Sequence, residues 1–179
     1  EDIDLIIVAT SSPDDLFGSA CLLQSAIGAK GALAYDLTAA CSGFVVGLVN
    51  GMHFIRGGGY KNVLVVGADV LSRYVDWRDR GTCILFGDGC GAVVLTATEE
   101  VSECSLLGFD MHSDGSQNHH LTAKVCGAKV GKVWESDSEA GERTAYENIG
   151  MNGQDVFKFA VRAVPMTIKE SLKNANMQP

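Results

Sequence analysis

The stretch AYDLTAACSGFVVGLVNG, residues Ala34–Gly51, places a cysteine between a short apolar run and a longer one. The first run predicts a strand that ends near Leu37, and the second predicts a helix that begins near Ser42. In the first turn of a helix, unpaired N–H groups and the positive end of the dipole stabilise a thiolate. Cys41 is therefore a candidate nucleophile, with Gly43 leaving room for a ligand to approach the backbone. The alternative is a small buried side chain, because free cysteine is often buried.

Composition narrows the class of protein. The chain has 179 residues, 46% of them hydrophobic, which is enough for a large core. Its 22 acidic and 14 basic residues give a net charge of -8, which argues against a nucleic-acid surface. The longest apolar stretch, Phe44 to Ile55, is interrupted by Asn50 and His53 and is too short to span a bilayer, which takes about 20 residues. We expect neither nucleic acid nor membrane as a partner.

The six cysteines form no C-x-x-C pair and no metal-finger spacing, which predicts free thiols in a reducing compartment and no metal site. Five of them lack the setting of Cys41 and are predicted to be core or surface thiols: Cys21, Cys83, Cys90, Cys104 and Cys126. Three histidines lie in a polar segment without a second cluster of ligands, so we interpret them as solvated loop residues: His112, His119 and His120.

Apolar runs and their spacing outline the organisation. Four β-branched runs predict buried strands: Leu5 to Val8, Leu33 to Leu37, Val63 to Val66 and Ala92 to Leu95. Helices are predicted over Ala20 to Ile27 and Ser42 to Ile55, the second ended by Gly57-Gly58-Gly59. This order indicates a layered α/β domain with parallel pairing. Residues 113–148 are polar and form a predicted surface excursion. An amphipathic helix is predicted from Gly153 to Asn174, with Pro165 kinking or restarting it.

Two further motifs have competing interpretations. The run Gly87 to Gly91, GDGCG, resembles a phosphate loop but leads into a strand, so we reject a nucleotide fold. The run Trp77 to Arg80 places two guanidiniums beside an indole and suits either a phosphate site or a plain solvated loop. Lys158 and Arg162 lie four residues apart and share a helix face, which is usually only a solvated surface.

Five ordered blocks resemble a known family: DLTAACSGF (36–44), NVLVVGAD (62–69), DRGTCILFGDGCGAVVL (79–95), HSDG (112–115) and MNGQDVFKFAV (151–161). They are similar to β-ketoacyl-[acyl-carrier-protein] synthase III, a condensing enzyme, and most similar to its plastid forms. The resemblance implies a thiolase-like fold of layered α/β/α/β/α type. Residues 1–112 would form part of its N-terminal half, 113–148 the polar excursion and 149–179 the start of its C-terminal half.

The resemblance also implies an activity. Acetyl-CoA would be condensed with malonyl-acyl-carrier protein, with loss of carbon dioxide, to give acetoacetyl-acyl-carrier protein and initiate type II fatty acid synthesis. Cys41 would be the acyl-accepting nucleophile, and its backbone N–H would be one donor to the oxyanion. No cofactor is expected beyond the substrates. A homodimer is expected, located in the plastid stroma or, alternatively, in a bacterial cytoplasm.

Further site residues carry over one by one from the resemblance. Arg80 and Gly81 match the adenine end of the CoA site, Leu71 and Phe86 the acyl pocket, and Gly153 and Phe157 the wall of the pantetheine tunnel. Lys158 and Arg162 match the basic surface that meets the acidic carrier protein. Trp77 does not match the adenine-stacking tryptophan of the family and is left out of the site.

One departure from the family concerns the decarboxylation step. The family places a catalytic histidine and asparagine in H-Q-A-N and G-N-T-S motifs, and neither string occurs in the 179 residues. We therefore interpret the chain as an internal section of a longer synthase and expect that this section alone cannot complete a condensation. The alternatives are another starter-type polyketide or condensing synthase of the same superfamily, and a truncated, non-catalytic binding protein.

Overall fold

A computed structural model of the chain describes residues 2–99, 105–126 and 145–178. Two compact units make up the chain. The first consists of Glu1–Val70 with Asp88–Phe109, and the second of Leu71–Gly87 with Asp110–Pro179. The division into segments 1–112, 113–148 and 149–179 stays a prediction. Cys104 and the central part of the polar segment, residues 127–144, lie outside the described residues.

A four-stranded sheet organises the first unit. Its elements are β1 (Leu5–Ala9), α1 (Ala20–Ala26), β2 (Leu33–Leu37), a 3-10 turn (Ala40–Ser42), α2 (Gly43–Arg56), β3 (Asn62–Val70) and β4 (Asp88–Thr96). The strand order is β2-β1-β3-β4. β1 pairs in parallel with both β2 and β3, whereas β3 and β4 are antiparallel. The positions of the predicted strands and helices are confirmed, with β3 and β4 each longer than predicted. The predicted burial of the run Leu33 to Leu37 is wrong, because no residue of β2, an edge strand, is buried and Leu33 is 47% exposed.

β1 is the centre of this unit, because all five of its residues are buried. Successive side chains of a strand point to opposite faces of the sheet. Ile6 and Val8 accordingly pack on the face that carries α1, and Leu5 and Ile7 on the face that carries α2. The two helices therefore cover opposite faces of a sheet that is apolar on both sides.

Glycines let α2 lie unusually close to the sheet. Gly43, Gly47 and Gly51 recur every four residues and so share one face of the helix. A Cβ atom built on Gly47 would lie 2.9 Å from Val65 Cγ1, and one built on Gly51 would lie 2.9 Å from Leu95 Cδ1. Both distances are shorter than carbon atoms tolerate, so these positions accept only glycine at the observed spacing between helix and sheet.

The exposure of β4 corrects one prediction. The run Ala92 to Leu95 was predicted to be a buried strand, yet Val93 is 39% exposed and Val94 is 52% exposed. The reason is topological: among the described strands β4 is an edge strand, joined in antiparallel fashion to β3 alone. Successive side chains of a strand point to opposite faces, so the exposure of both valines means that neither face of the sheet is fully covered at this edge.

The second unit contains a long helix and short elements. These are two 3-10 helices (Leu71–Tyr74 and Gly115–His120), a two-stranded antiparallel sheet of β5 (Leu121–Thr122) and β6 (Gly150–Met151), and α3 (Gly153–Asn174). α3 has the predicted bounds, and it continues through Pro165 without restarting. Pro165 has no backbone N–H, so the Val161 carbonyl lacks its helical hydrogen bond. Both residues are exposed, so water can bind that carbonyl instead.

The side chains of α3 are all at least partly exposed to solvent. None of the side chains of α3 is buried, and Phe157, Val164 and Ile168 are all more than half exposed. Of the helices within the described ranges, none combines the length and the apolarity that a membrane crossing requires.

The close contact of α2 with the sheet gives a test by substitution. Gly47→Ala gains helix propensity of about 1 kcal/mol but forces a methyl group against the buried, β-branched Val65, which costs about 1–3 kcal/mol. We expect a net decrease in the free energy of unfolding, measured by denaturant titration. Gly59→Ala is the matched control, because nothing lies within 4 Å of a Cβ at that position and its φ is not positive. Equal stability of the two variants would contradict the close packing of α2.

Candidate active site

Cys41 lies in the 3-10 turn Ala40–Ser42, between the end of β2 and the start of α2. Its side chain is exposed, which contradicts the alternative of a small buried thiol. The preceding residue, Ala40, has φ +46°, in the left-handed region that residues other than glycine and asparagine seldom occupy. The chain thus turns sharply from strand to helix at the candidate nucleophile.

The start of α2 is fixed on the sheet directly beyond this turn. The Ser42 N–H donates to the Ala39 carbonyl, and the Gly43 N–H donates to the Ala40 carbonyl. A Cβ on Gly43 would lie 3.1 Å from the Ala9 Cβ, at the end of β1. The side chain of the N-cap residue, Ser42, accepts no hydrogen bond from the first N–H groups of α2. The positive end of the helix therefore lies beside Cys41 without a cap from Ser42.

A polar network lies at the same carboxyl edge of the sheet. An Asp69 carboxylate oxygen accepts hydrogen bonds from the Ser11 N–H at 2.7 Å and from the Ser12 hydroxyl at 2.9 Å. The Ser12 hydroxyl in turn accepts from the Val70 N–H at 2.7 Å. These bonds hold the end of β1 against the end of β3. Since ligands of open α/β sheets bind at the carboxyl ends of the strands, Cys41 lies on the edge where a substrate would be expected.

The two arginines of the run Trp77 to Arg80 have different surroundings. The Arg78 guanidinium is bidentate with the Asp76 carboxylate, with two N···O distances of 3.0 Å. These hydrogen bonds lower the pKa of Asp76. Arg80 is exposed and contacts no charged or polar partner within the described residues. Only one of the two cations is thus available for an anionic ligand.

The remaining candidate residues all belong to the second unit. Leu71 and Phe86 are half-buried, and Gly81 lies in the same segment as Arg80. Gly153 is the first residue of α3, and Phe157 follows one turn later with 66% of its surface exposed. The structure places Cys41 in the first unit, so the candidate residues form two groups, each within its own unit.

The two candidate basic residues of α3 differ in pairing. Lys158 Nζ lies 3.0 Å from an Asp155 carboxylate oxygen, whereas Arg162 is exposed with no ionic partner in the described ranges. The hydrogen bond from Lys158 lowers the pKa of Asp155, and the positive charges of Lys158 and His120 and the Asn152 amide act in the same direction.

Sequence analysis missed several residues that shape the site. Asp69 was not singled out, because a carboxylate that binds groups almost 60 residues away leaves no local pattern. Asp79 was not singled out either, although its partners Gly81 and Thr82 are close in sequence. The cap of α3 was detectable: Asn152 and Asp155 have the spacing of a capping box, and Asn152 Oδ1 accepts from the Asp155 N–H at 3.3 Å. Asp36 on β2 was missed too, although its carboxylate caps α1 by accepting from the Ser19 and Ala20 N–H groups at 2.7 Å.

The described ranges contain no set of ligands for a metal ion. No group of three or more histidine, cysteine or acidic side chains comes together there. His112 lies 3.0 Å from Asp110, with 79% of its side chain exposed, and His120 lies 3.8 Å from Asp155.

The glycine-rich run GDGCG, residues 87–91, does not open a helix. Strand β4 already begins within this run, at Asp88, earlier than predicted.

Comparison with known proteins gives a consistent result. Residues 35–115 match the family model for 3-oxoacyl-[acyl-carrier-protein] synthase III. β-Ketoacyl-[acyl-carrier-protein] synthase III of Microcystis aeruginosa is 54% identical over 98% of this chain and 51% of its own length. The chloroplastic synthase III of Arabidopsis thaliana is 52% identical over 99% of this chain and 45% of its own length. The crystal structure of the Aquifex aeolicus synthase III superposes with a TM-score of 0.83, at 42% identity, over 99% of this chain and 51% of that one.

The fold is thus the thiolase-like α/β fold, as the sequence predicted. The chain is similar to 3-oxoacyl-[acyl-carrier-protein] synthases III, and the resemblance carried by the five sequence blocks is confirmed. It spans about half the length of these relatives.

Asp155 gives a test of the electrostatics at the start of α3. Its pKa is lowered in the folded chain, so its stabilising contribution is complete above its ordinary pKa of about 3.9 and is lost as the pH falls through the lowered value. We expect Asp155→Asn to flatten the loss of stability below about pH 4. Denaturant titrations at a series of pH values measure this slope.

The matched variant is Lys158→Gln, which removes the first cause of the lowered pKa. The same flattening is expected in Lys158→Gln, and the double variant should flatten the slope by less than the sum of the two single changes. Strict additivity would mean that the two side chains do not interact in solution.

Proposed function

We propose that this protein is an acyltransferase that condenses acetyl-CoA with malonyl-acyl-carrier protein to give acetoacetyl-acyl-carrier protein and carbon dioxide. This reaction would initiate type II fatty acid synthesis. The observation that carries the proposal is the exposed Cys41 at the sharp turn into α2, at the carboxyl edge of the sheet. The names of the relatives, which are β-ketoacyl-[acyl-carrier-protein] synthases III, support the same reaction.

The first half-reaction uses Cys41 as nucleophile. Its thiolate attacks the carbonyl carbon of acetyl-CoA, and the carbonyl oxygen becomes an oxyanion that the Cys41 backbone N–H stabilises. The tetrahedral intermediate collapses, the thiolate of CoA leaves, and the acetyl group remains on Sγ.

The second half-reaction uses the resulting thioester. Malonyl-acyl-carrier protein loses carbon dioxide, and the carbanion that forms attacks the acetyl carbonyl, so that a carbon–carbon bond forms and the Cys41 thiolate is released. In the family a histidine and an asparagine assist the decarboxylation. The H-Q-A-N and G-N-T-S motifs are not among the 179 residues, so no residue of these 179 is assigned to the decarboxylation.

The candidate binding residues are assigned to the two substrates. Arg80, with Gly81 beside it, would contact the adenine end of CoA, since Arg80 has no other partner in the described ranges. Leu71 and Phe86 would line the acyl pocket, where bulk favours a short primer. Gly153 and Phe157 would line the pantetheine tunnel. Lys158 and Arg162 would meet the acidic carrier protein, in an interaction that salt weakens.

A homodimer and a location complete the proposal. Among the described strands β4 is an edge with exposed valines, and such an edge is a place where a second copy can pair. The Arabidopsis relative is named chloroplastic, which supports the plastid stroma, and the cyanobacterial relative supports the alternative of a bacterial cytoplasm. Acetyl-CoA and malonyl-acyl-carrier protein are substrates here, and the proposed chemistry requires no cofactor.

Acetyl transfer to Cys41 gives the direct test. Incubation with acetyl-CoA should add one acetyl group per chain, measured by intact mass, and peptide mapping should locate it on Cys41. Cys41→Ser should lose this modification, and in the protein at its native length condensation should fall by a factor on the order of 10³ or more. Cys90→Ser is the control, because Cys90 is also exposed but lies within β4, away from any helix start.

Acetylation that persists in Cys41→Ser would overturn the proposed nucleophile. Acetylation without any condensation at native length would favour the non-catalytic binding protein. A strong preference for primers longer than acetyl would favour a starter-type polyketide synthase.

The two arginines give a second test. Arg80→Gln should raise the KM for acetyl-CoA by about 10- to 100-fold, the value of one hydrogen bond to a charged group. Arg78→Gln should change this KM by less than about threefold, because the guanidinium of Arg78 already pairs with Asp76. Equal effects of the two substitutions, measured by the initial rate of Cys41 acetylation, would contradict the assignment of Arg80.

A further inference from the structure

Asp79 lies between the two arginines in sequence, and its carboxylate binds Gly81 and Thr82 and neither guanidinium. Its Oδ1 accepts a hydrogen bond from the Gly81 N–H at 2.9 Å, and its Oδ2 accepts from the Thr82 hydroxyl at 2.7 Å. The Asp79 carbonyl accepts from the Cys83 N–H at 3.0 Å. Both carboxylate oxygens and the carbonyl are thus used to shape the turn that follows.

Thr82 anchors this turn to the interior of its unit. It is 2% exposed, in a segment whose neighbours Gly81 and Ile84 are exposed. Gly81 fits against the same carboxylate, since a Cβ at position 81 would lie 3.1 Å from Asp79 Oδ1. The backbone on both sides of Arg80 is therefore fixed by Asp79, through one bond to an exposed residue and one to a buried residue.

The hydrogen bonds of Asp76 and Asp79 leave the Arg80 guanidinium available for an anionic ligand. Asp76 pairs with Arg78, and Asp79 is occupied by Gly81 and Thr82, so neither of the two nearby carboxylates neutralises the Arg80 guanidinium. A cation on a fixed backbone turn loses less conformational entropy on binding than a cation on a mobile loop.

We infer that Asp79 is a positioning residue for Arg80, which it holds, through Gly81 and Thr82, in the conformation that contacts CoA. This inference rests on the proposed function, in which Arg80 binds the adenine end of CoA. Asp79 itself touches neither substrate. Its role is to fix the turn while leaving the charge of Arg80 free for the anionic ligand.

The test compares Asp79→Ala with Asp79→Asn in the protein at its native length. Asp79→Ala removes both hydrogen bonds and should raise the KM for acetyl-CoA about tenfold, while kcat per acetylatable Cys41 changes by less than about twofold. Asp79→Asn keeps an acceptor for the Gly81 N–H and a polar group for Thr82, so it should recover most of the loss. Thr82→Val should give an intermediate KM.

The Arg80→Gln background separates the inference from the proposed function. If Asp79 acts through Arg80, Asp79→Ala should have little further effect on the KM once Arg80 is replaced. An undiminished effect in that background would overturn the inference. A normal KM in Asp79→Ala, together with a raised KM in Arg80→Gln, would overturn the inference alone. An unchanged KM in Arg80→Gln would overturn both the inference and the proposed contact of Arg80 with CoA.

Two other roles for Asp79 predict different results. If Asp79 acted by repelling the anionic ligand, both Asp79→Ala and Asp79→Asn would lower the KM. If it served only to keep the fold intact, Asp79→Ala would reduce the number of acetylatable chains, with the KM of the remaining ones unchanged. Either result would overturn the inference.

Discussion

The close contact between α2 and the sheet is the constraint on which the first unit depends. A helix usually packs on its neighbours through interlocking side chains, but here Gly47 and Gly51 bring the backbone of α2 directly against Val65 and Leu95. The start of the helix is consequently fixed with little freedom to tilt. Cys41 lies one residue before the N-cap, so packing of the helix locates the proposed nucleophile without a hydrogen bond from its own side chain.

Periodicity predicted the elements well, because the features that define them are local. The bounds of β2 and α3 followed from their apolar spacing, and the strand-to-helix position of Cys41 was read from one stretch of sequence. The exposure of β4 was predicted wrongly, since an apolar run has the same composition at an edge as in the middle of a sheet. Its place at the edge depends on the strand order, which spacing does not encode.

The polar contacts were harder to predict, because they join residues that are distant in sequence or compete for the same partner. The bonds of Asp69 to Ser11 and Ser12 connect segments almost 60 residues apart. The run Trp77 to Arg80 indicated two equivalent cations, yet the structure pairs one of them and leaves the other exposed. The paired arginine is the one whose guanidinium the Asp76 carboxylate can contact. The three-dimensional course of the turn decides which of the two this is.

The burial of β1 has a consequence for how the first unit opens. Its residues are covered on both faces and paired on both edges, so none of its backbone amides can reach solvent while β2 and β3 remain attached. Hydrogen exchange at β1 would therefore report the detachment of a whole neighbouring strand. Cys41, in contrast, is already exposed in the native state. The proposed reaction of Cys41 therefore needs no opening of the sheet. Opening events that a protease or a deuterium label would detect can be rare without slowing the proposed encounter with a thioester.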